Sequence, residues 1–257
     1  MNYFKYNKIT GEVLALINIA EDIAYTQIDG DISIIPAPEG MDYTKAWIDG
    51  DQISDRLPVA SLTSPPPMPI NETQKVFVGM PSPCWVRVRG SSNMPYEEHL
   101  VEVVGGVFNF EATIAGVYYL SLVGKYSGGP FVFEAIDPED YKSRLINAVN
   151  DKKNVVLAGG VLWKDIRWDA TATSQNAINS YVSAYSAGIA LPEGFYWTSF
   201  DNTNVPMTGD DMVALGGAII NFVFRIHTRG TALKEEIAAA TSMADLNAIN
   251  INTGWPS

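Results

Sequence analysis

Between Thr208 and Ala240 apolar residues fall at three- and four-residue steps, at Met212, Leu215, Ile219, Phe222, Val223 and Ile226, with Leu233 and Ile237 continuing past Gly230. That period places them on one face of a long helix. Thr208 and Asp211 open it as a capping box, the hydroxyl accepting a backbone N–H three residues on and the carboxylate lying where the helix dipole favours an anion. Thr241 restarts a short helix that runs through Met243 to Ile249. Gly216 and Gly217 sit mid-helix, where glycine costs about 1 kcal/mol against alanine, and close approach of another backbone is the economical reason for the pair.

Upstream of this run the pattern is mixed. Asp137-Pro138 followed by acids reads as a helix start, and Tyr141, Leu145, Ile146 and Val149 give a stripe ending near Lys152 to Asn154. Strands are expected at Val155–Leu157, Val161–Trp163 and Ile166–Trp168, around Gly159-Gly160. A helix over Thr173–Ala187 carries Ile178, Tyr181, Val182 and Tyr185 on one face. The segment from Pro192 to Phe200, with Trp197, leads into an Asx-type turn at Asp201–Asn204 and a short strand at Val205–Met207.

The first half has the period of strands. Tyr3–Tyr6 and Val13–Ile19 flank a turn at Asn7–Gly11, Ile32–Ile35 is a third strand stopped by proline, and Tyr43–Ile48 with Gln52–Arg56 form a hairpin through Asp49-Gly50. So small a module should lean on a partner or on the next module. Leu57 to Pro69 is proline-rich and reads as an extended spacer. Six short strands then follow at Lys75–Gly79, Cys84–Arg89, His99–Val104, Val107–Glu111, Gly116–Val123 and Phe131–Ala135. Their rhythm suits an immunoglobulin-like sandwich, and the alternation through Trp85–Arg89 turns Arg87 and Arg89 outward. The predicted organisation is an N-terminal docking module (1–57), a linker (58–69), an immunoglobulin-like sandwich (70–136), a connecting helix (137–154) and a small α+β domain of mainly three helices (155–257).

Composition narrows the partners. With 47% hydrophobic and 18% charged residues the chain folds, and its net charge of −12 argues against nucleic-acid backbones and anionic membranes. No apolar run is long enough to span a bilayer, and the start of the chain lacks the apolar core of a secretory signal. A single cysteine, Cys84, forbids an internal disulfide and makes a reducing cytoplasm the expected site of folding.

Two stretches carry a family resemblance. Trp47–Arg56, Pro67-Met-Pro69, Gly79–Val88, Phe108-Asn-Phe110, Ala115–Tyr119 and Phe131 resemble a module of tailed-bacteriophage tail proteins, from which the chain departs at Ala115–Tyr118 and in a longer Ser91–Glu98 insertion. Asp165–Ala170, Ser174–Ile178, Trp197, Asp201–Thr203, Thr208–Leu215, His227, Leu233–Leu246 and Gly254-Trp-Pro256 are similar to an uncharacterised C-terminal domain of phage tail and tail-fibre assembly proteins. The resemblance implies a virion tail component, made and assembled in the host cytoplasm, with other tail, baseplate or fibre proteins as partners. It implies no catalytic residue.

The residues themselves assign no catalytic, cofactor-binding or metal-ligating position. His99 beside Glu97-Glu98 reads as a solvated loop, His227 as a dipole-compatible helix residue and Cys84 as a small buried hydrophobe. Asp201–Asn204 lacks the glycine and distal Glu of a calcium loop. The candidates for structural or interaction roles are Trp47, Trp85, Trp163, Trp168, Trp197, Gly216, Gly217 and Trp255. Exposed tryptophans would stack on sugars, whereas packed ones anchor small cores. The expected function is therefore a non-enzymatic tail, baseplate or fibre component. A tail-fibre assembly chaperone and a host-surface glycan binder or hydrolase are the alternatives, and self-association stays open.

Overall fold

The computed structural model describes residues 1–18, 28–50, 52–59 and 62–257, so Ile19 of the second predicted strand and positions 60 and 61 of the proline-rich stretch lie outside the described residues. The chain divides into two compact units, Met1–Pro138 and Glu139–Ser257.

The first unit opens with β1 (Asn2–Asn7), β2 (Val13–Asn18) and β3 (Ile32–Pro36) in an antiparallel sheet ordered β2-β1-β3. Pro36 lies on an edge strand, opposite Tyr3, where its missing N–H is tolerated. A 3-10 turn at Tyr43–Lys45, capped by Asp42, replaces the start of the predicted fourth strand and feeds the hairpin of β4 (Ala46–Asp49) and β5 (Gln52–Asp55). Asp49 pairs with Gln52, so the turn begins at Gly50, whose φ of 57° meets its need for positive φ. Phe4, Ala46 and Ile48 form this module's small core.

That core is supplemented by the sandwich. Glu12 binds Arg87 at 2.5 Å, and the Arg56 guanidinium donates to the carbonyls of Leu122 (2.7 Å), Gly124 (2.9 Å) and Tyr126 (2.5 Å). Burial works against the charge of Arg56, while Glu12 favours it. The proline-rich stretch is held at both ends. β6 (Leu57–Pro58) and β7 (Met68–Pro69) each form a short parallel pairing with the sandwich, and Met68 is buried there.

The sandwich comprises β8 (Thr73–Val78), β9 (Cys84–Gly90), β10 (His99–Val103), β11 (Val107–Glu111), β12 (Gly116–Val123), β13 (Tyr126–Ser127) and β14 (Phe131–Ile136). One sheet is ordered β10-β9-β12-β14-β7 and the other pairs β11 with β8. This is an immunoglobulin-like arrangement with the first strand parallel to the last. The Tyr118 hydroxyl donates to the Ile114 carbonyl at 2.6 Å, closing a tyrosine corner at the start of β12. Val86 and Val88 point inward while Arg87 and Arg89 take the other face, and Phe77, Phe108, Tyr118 and Phe133 fill the centre. Tyr118 stacks on Phe133 at 5.3 Å. The Ser91–Glu98 insertion belongs to this core too, since the Tyr96 ring meets that of Tyr118 at 5.0 Å.

α1 (Pro138–Ala158) starts at the last residue of the first unit and belongs otherwise to the second. Val155–Leu157, expected as a strand, is its last turn. Val149 is buried, and Val156 and Leu157 both lie about two turns on, where helical continuation packs them against the unit's core. The helix stops at Gly159-Gly160, with Gly160 at a φ of 71° and its N–H bonded to the Leu157 carbonyl. β15 (Val161–Trp163) and β16 (Ile166–Trp168) form a hairpin whose two turn residues, Lys164 and Asp165, both have positive φ. α2 (Ala172–Ser186), capped by Thr171, leads to the hairpin of β17 (Tyr196–Thr198) and β18 (Asn204–Pro206). Asn202 at positive φ makes the turn expected there. α3 (Gly209–Ala239) runs 31 residues without interruption, and α4 (Met243–Ala248) closes the fold.

Candidate functional site

α3 is the element on which the unit is assembled, and its two faces differ sharply. The Thr208 capping box forms as expected. The hydroxyl accepts from the Asp211 N–H at 3.1 Å, and the Asp211 carboxylate accepts from the Thr208 N–H at 3.0 Å. Lys164 adds an ion pair at 2.7 Å, and the hydrogen bonds from Lys164 and Thr208 hold the Asp211 carboxyl well below the usual carboxylate range. Along the inner face Met212, Leu215, Ile219, Phe222, Ile226, Leu233 and Ile237 are buried.

The outer face carries a second apolar stripe. Val213, Ile220 and Phe224 are 43%, 62% and 67% exposed, and exposed Gly217 lies between the first two. Steps of four, three and four residues keep these positions in line on one helix face. Large exposed side chains arranged this way resemble half of a helix–helix seam, with Gly217 as the hole between its knobs. The sequence pattern gave priority to the stronger inner stripe. The outer one was detectable from the same 4-3-4 spacing, once the glycine was counted as part of it.

This placement corrects the expectation for the glycine pair. A Cβ on Gly217 would meet nothing within 4 Å, and one on Gly216 would sit 3.4 Å from Ile178 and 3.5 Å from Val182, ordinary contacts with side chains of α2. No backbone comes close to either. The tight approach is at Gly209, where a Cβ would lie 2.2 to 2.4 Å from the Tyr185 ring. The Tyr185 hydroxyl donates to Asp210 at 3.1 Å, fastening the end of α2 to the start of α3. Gly230 is buried under Trp255 and Val149.

The tryptophans are packing residues to different degrees. Trp168 is fully buried, with its indole N–H donating to the Trp163 carbonyl at 3.1 Å, so it cannot stack on a sugar. Trp163 is half-buried beneath the Lys164 ammonium, 4.6 Å from the ring. Trp197 is half-buried against Tyr181 at 5.4 Å. Trp255 tethers the chain end, donating to the Ile251 carbonyl at 2.8 Å. In the first unit Trp47 is half-buried with Lys125 5.6 Å from its ring, and half-buried Trp85 lies on the outward side of β9.

The titratable candidates are dispersed. His99 is exposed against the edge of Tyr96, and among the described residues no three of His, Cys, Asp or Glu group to hold a metal ion. Cys84 is buried, which pushes its thiol up to about 11. An open cleft of about 400 Å³ lies between the 190–195 segment and the start of α3, walled by Leu191, Phe195, Met207 and Tyr185. No helix among the described residues is long and apolar enough to cross a membrane.

No curated protein and no solved structure matches the chain. Residues 140–251 match the domain of unknown function DUF4376, and this span falls within the second compact unit.

Proposed function

We propose that this chain is a structural component of a tailed-phage virion, located in the tail, baseplate or tail fibre, that works by docking to other proteins and not by catalysis. The observation that carries the docking role is the outer stripe of α3. Three large apolar side chains line up in water beside a glycine that no internal contact requires. A partner helix laid along Val213, Ile220 and Phe224 would remove that surface from water, at about 25 cal/mol per Å² buried. The resemblance to tail proteins supplies the setting. It supports a setting among other tail, baseplate or fibre proteins, with synthesis and assembly in the host cytoplasm.

Mass spectrometry of purified infectious particles tests the reading. A fixed copy number per virion is expected. Absence from fully infectious particles defeats it and leaves an assembly chaperone that uses the same surface. Phe224→Glu, placed on the outer face, should leave folding intact and abolish incorporation. Normal incorporation of that variant would show that the stripe is not the docking surface.

A further inference from the structure

α1 and α3 meet around Gly230, where a cavity of about 50 Å³ is lined by Asn150, Lys153, His227, Thr231 and Lys234. The spacing builds it. His227, Thr231 and Lys234 succeed one another by one helical turn on α3, while Asn150 and Lys153 do so on α1. Gly230 leaves room because the nearest side chains, of Trp255 and Val149, lie 3.8 and 4.0 Å from where its Cβ would be. Every polar side chain lining this cavity can donate a hydrogen bond, and none is a carboxylate.

That composition is out of character for the chain, which has 29 acidic against 17 basic residues. Three other basic residues of this unit have acidic partners: Lys142 binds Glu139 at 3.0 Å, Lys164 binds Asp211 at 2.7 Å and Arg229 binds Glu236 at 3.3 Å, whereas Lys152, Arg167 and Arg225, which do not line the cavity, form no ion pair among the described residues. Lys153 and Lys234 are half-buried and form no ion pair among the described residues. Lys153 and Lys234 therefore bring two positive charges to one cavity whose lining holds no carboxylate to balance them.

We propose that this cavity is a binding site for a compact tetrahedral oxyanion such as phosphate or sulfate, held by the Lys153 and Lys234 ammonium groups, with Thr231, Asn150 and His227 donating to its oxygens. The inference stands independently of the docking role. The anion could be free or the terminal monoester of a larger ligand, since the donor set sees the same oxygens. Lysine ammonium groups bind phosphate as point charges, and the two here come from different helices.

Calorimetric titration of the full chain with inorganic phosphate at constant ionic strength tests it. The expected result is saturable one-to-one heat that sodium chloride does not reproduce. In the Lys153→Met/Lys234→Met variant affinity should fall at least tenfold, whereas Lys152→Met should bind like the unaltered chain. In anion-free buffer the double variant should melt no lower than the parent, because neither ammonium has an ion pair among the described residues to lose. If it does not fold, Thr231→Val keeps both charges and should weaken binding several-fold. Titration with glycerol 3-phosphate separates the sources: tighter binding than phosphate supports a terminal monoester, and exclusion supports a free ion. Heat no greater than the chloride control, or unchanged affinity in the variants, overturns the proposal.

Discussion

Three glycines of α3 that look alike in the sequence should respond to alanine in two opposite ways. At Gly217 the new methyl meets nothing within 4 Å, so only the helix preference remains, and stability should rise by about 1 kcal/mol. At Gly216 the methyl reaches Ile178 and Val182 at 3.4 and 3.5 Å, which adds contact without overlap, and a gain of similar size is expected. At Gly209 the methyl would sit 2.2 to 2.4 Å from the Tyr185 ring. The ring must move and its hydrogen bond to Asp210 must break, an overpacking cost of roughly 1 to 3 kcal/mol set against a helix gain of at most about 1. Urea unfolding of the full chain, followed through the transition of the second unit, should shift by roughly 0.5 to 1 M upward for Gly217→Ala and downward for Gly209→Ala. Adding Tyr185→Ala should remove most of the Gly209→Ala penalty, a coupling of about 1 to 2 kcal/mol. Destabilisation by Gly217→Ala, or no coupling between Gly209 and Tyr185, would refute the packing described for this helix.

Other expectations are simpler. Arg56→Met removes three charge-assisted hydrogen bonds to the carbonyls of Leu122, Gly124 and Tyr126 and should destabilise the first unit by about 3 kcal/mol, read by thermal denaturation. Asp211 and Asp245 both have carboxyls held below their ordinary range, chiefly by the hydrogen bond from Lys164 in one case and from the Ser242 cap in the other. A lowered folded value means stabilisation that is complete above the unfolded value of about 4 and fades as pH falls below it, so urea midpoints should drop from pH 5 towards pH 2, and Asp211→Asn should flatten that drop. Cys84 should resist iodoacetamide at pH 8 in the native chain and react once urea exposes it, because burial keeps the thiol protonated.

Much of this fold is legible in the sequence, and the exceptions have physical causes. The capping box at Thr208, the alternation through β9 and the inner stripe of α3 are local patterns, and each forms as read. Val155–Leu157 misleads because β-branched residues favour strands in isolation, while packing of Val156 and Leu157 on the core extends the helix. The glycine pair misleads for a related reason. Mid-helix glycine signals a conflict with local propensity, but its cause, a methyl-sized contact at Gly216 and open water at Gly217, depends on where α2 lies. The cavity between α1 and α3 is still less legible, since Lys153 and Lys234 are 81 positions apart and acquire a common environment only where the helices meet near Gly230.

The parallel pairing of β7 with β14 has a mechanical consequence. Met68 and Pro69 lie beside Ala135 and Ile136, with the two strands running the same way. Tension entering through Arg56 and leaving through Ile136 pulls these neighbours in opposite directions along their length. Their contacts are therefore loaded together in shear, not peeled apart one at a time. β6 against β13 repeats the arrangement at the other end of the proline-rich stretch. A chain loaded this way bears force through the folded sandwich, and its proline-rich stretch pays out length only after those strand pairs slip.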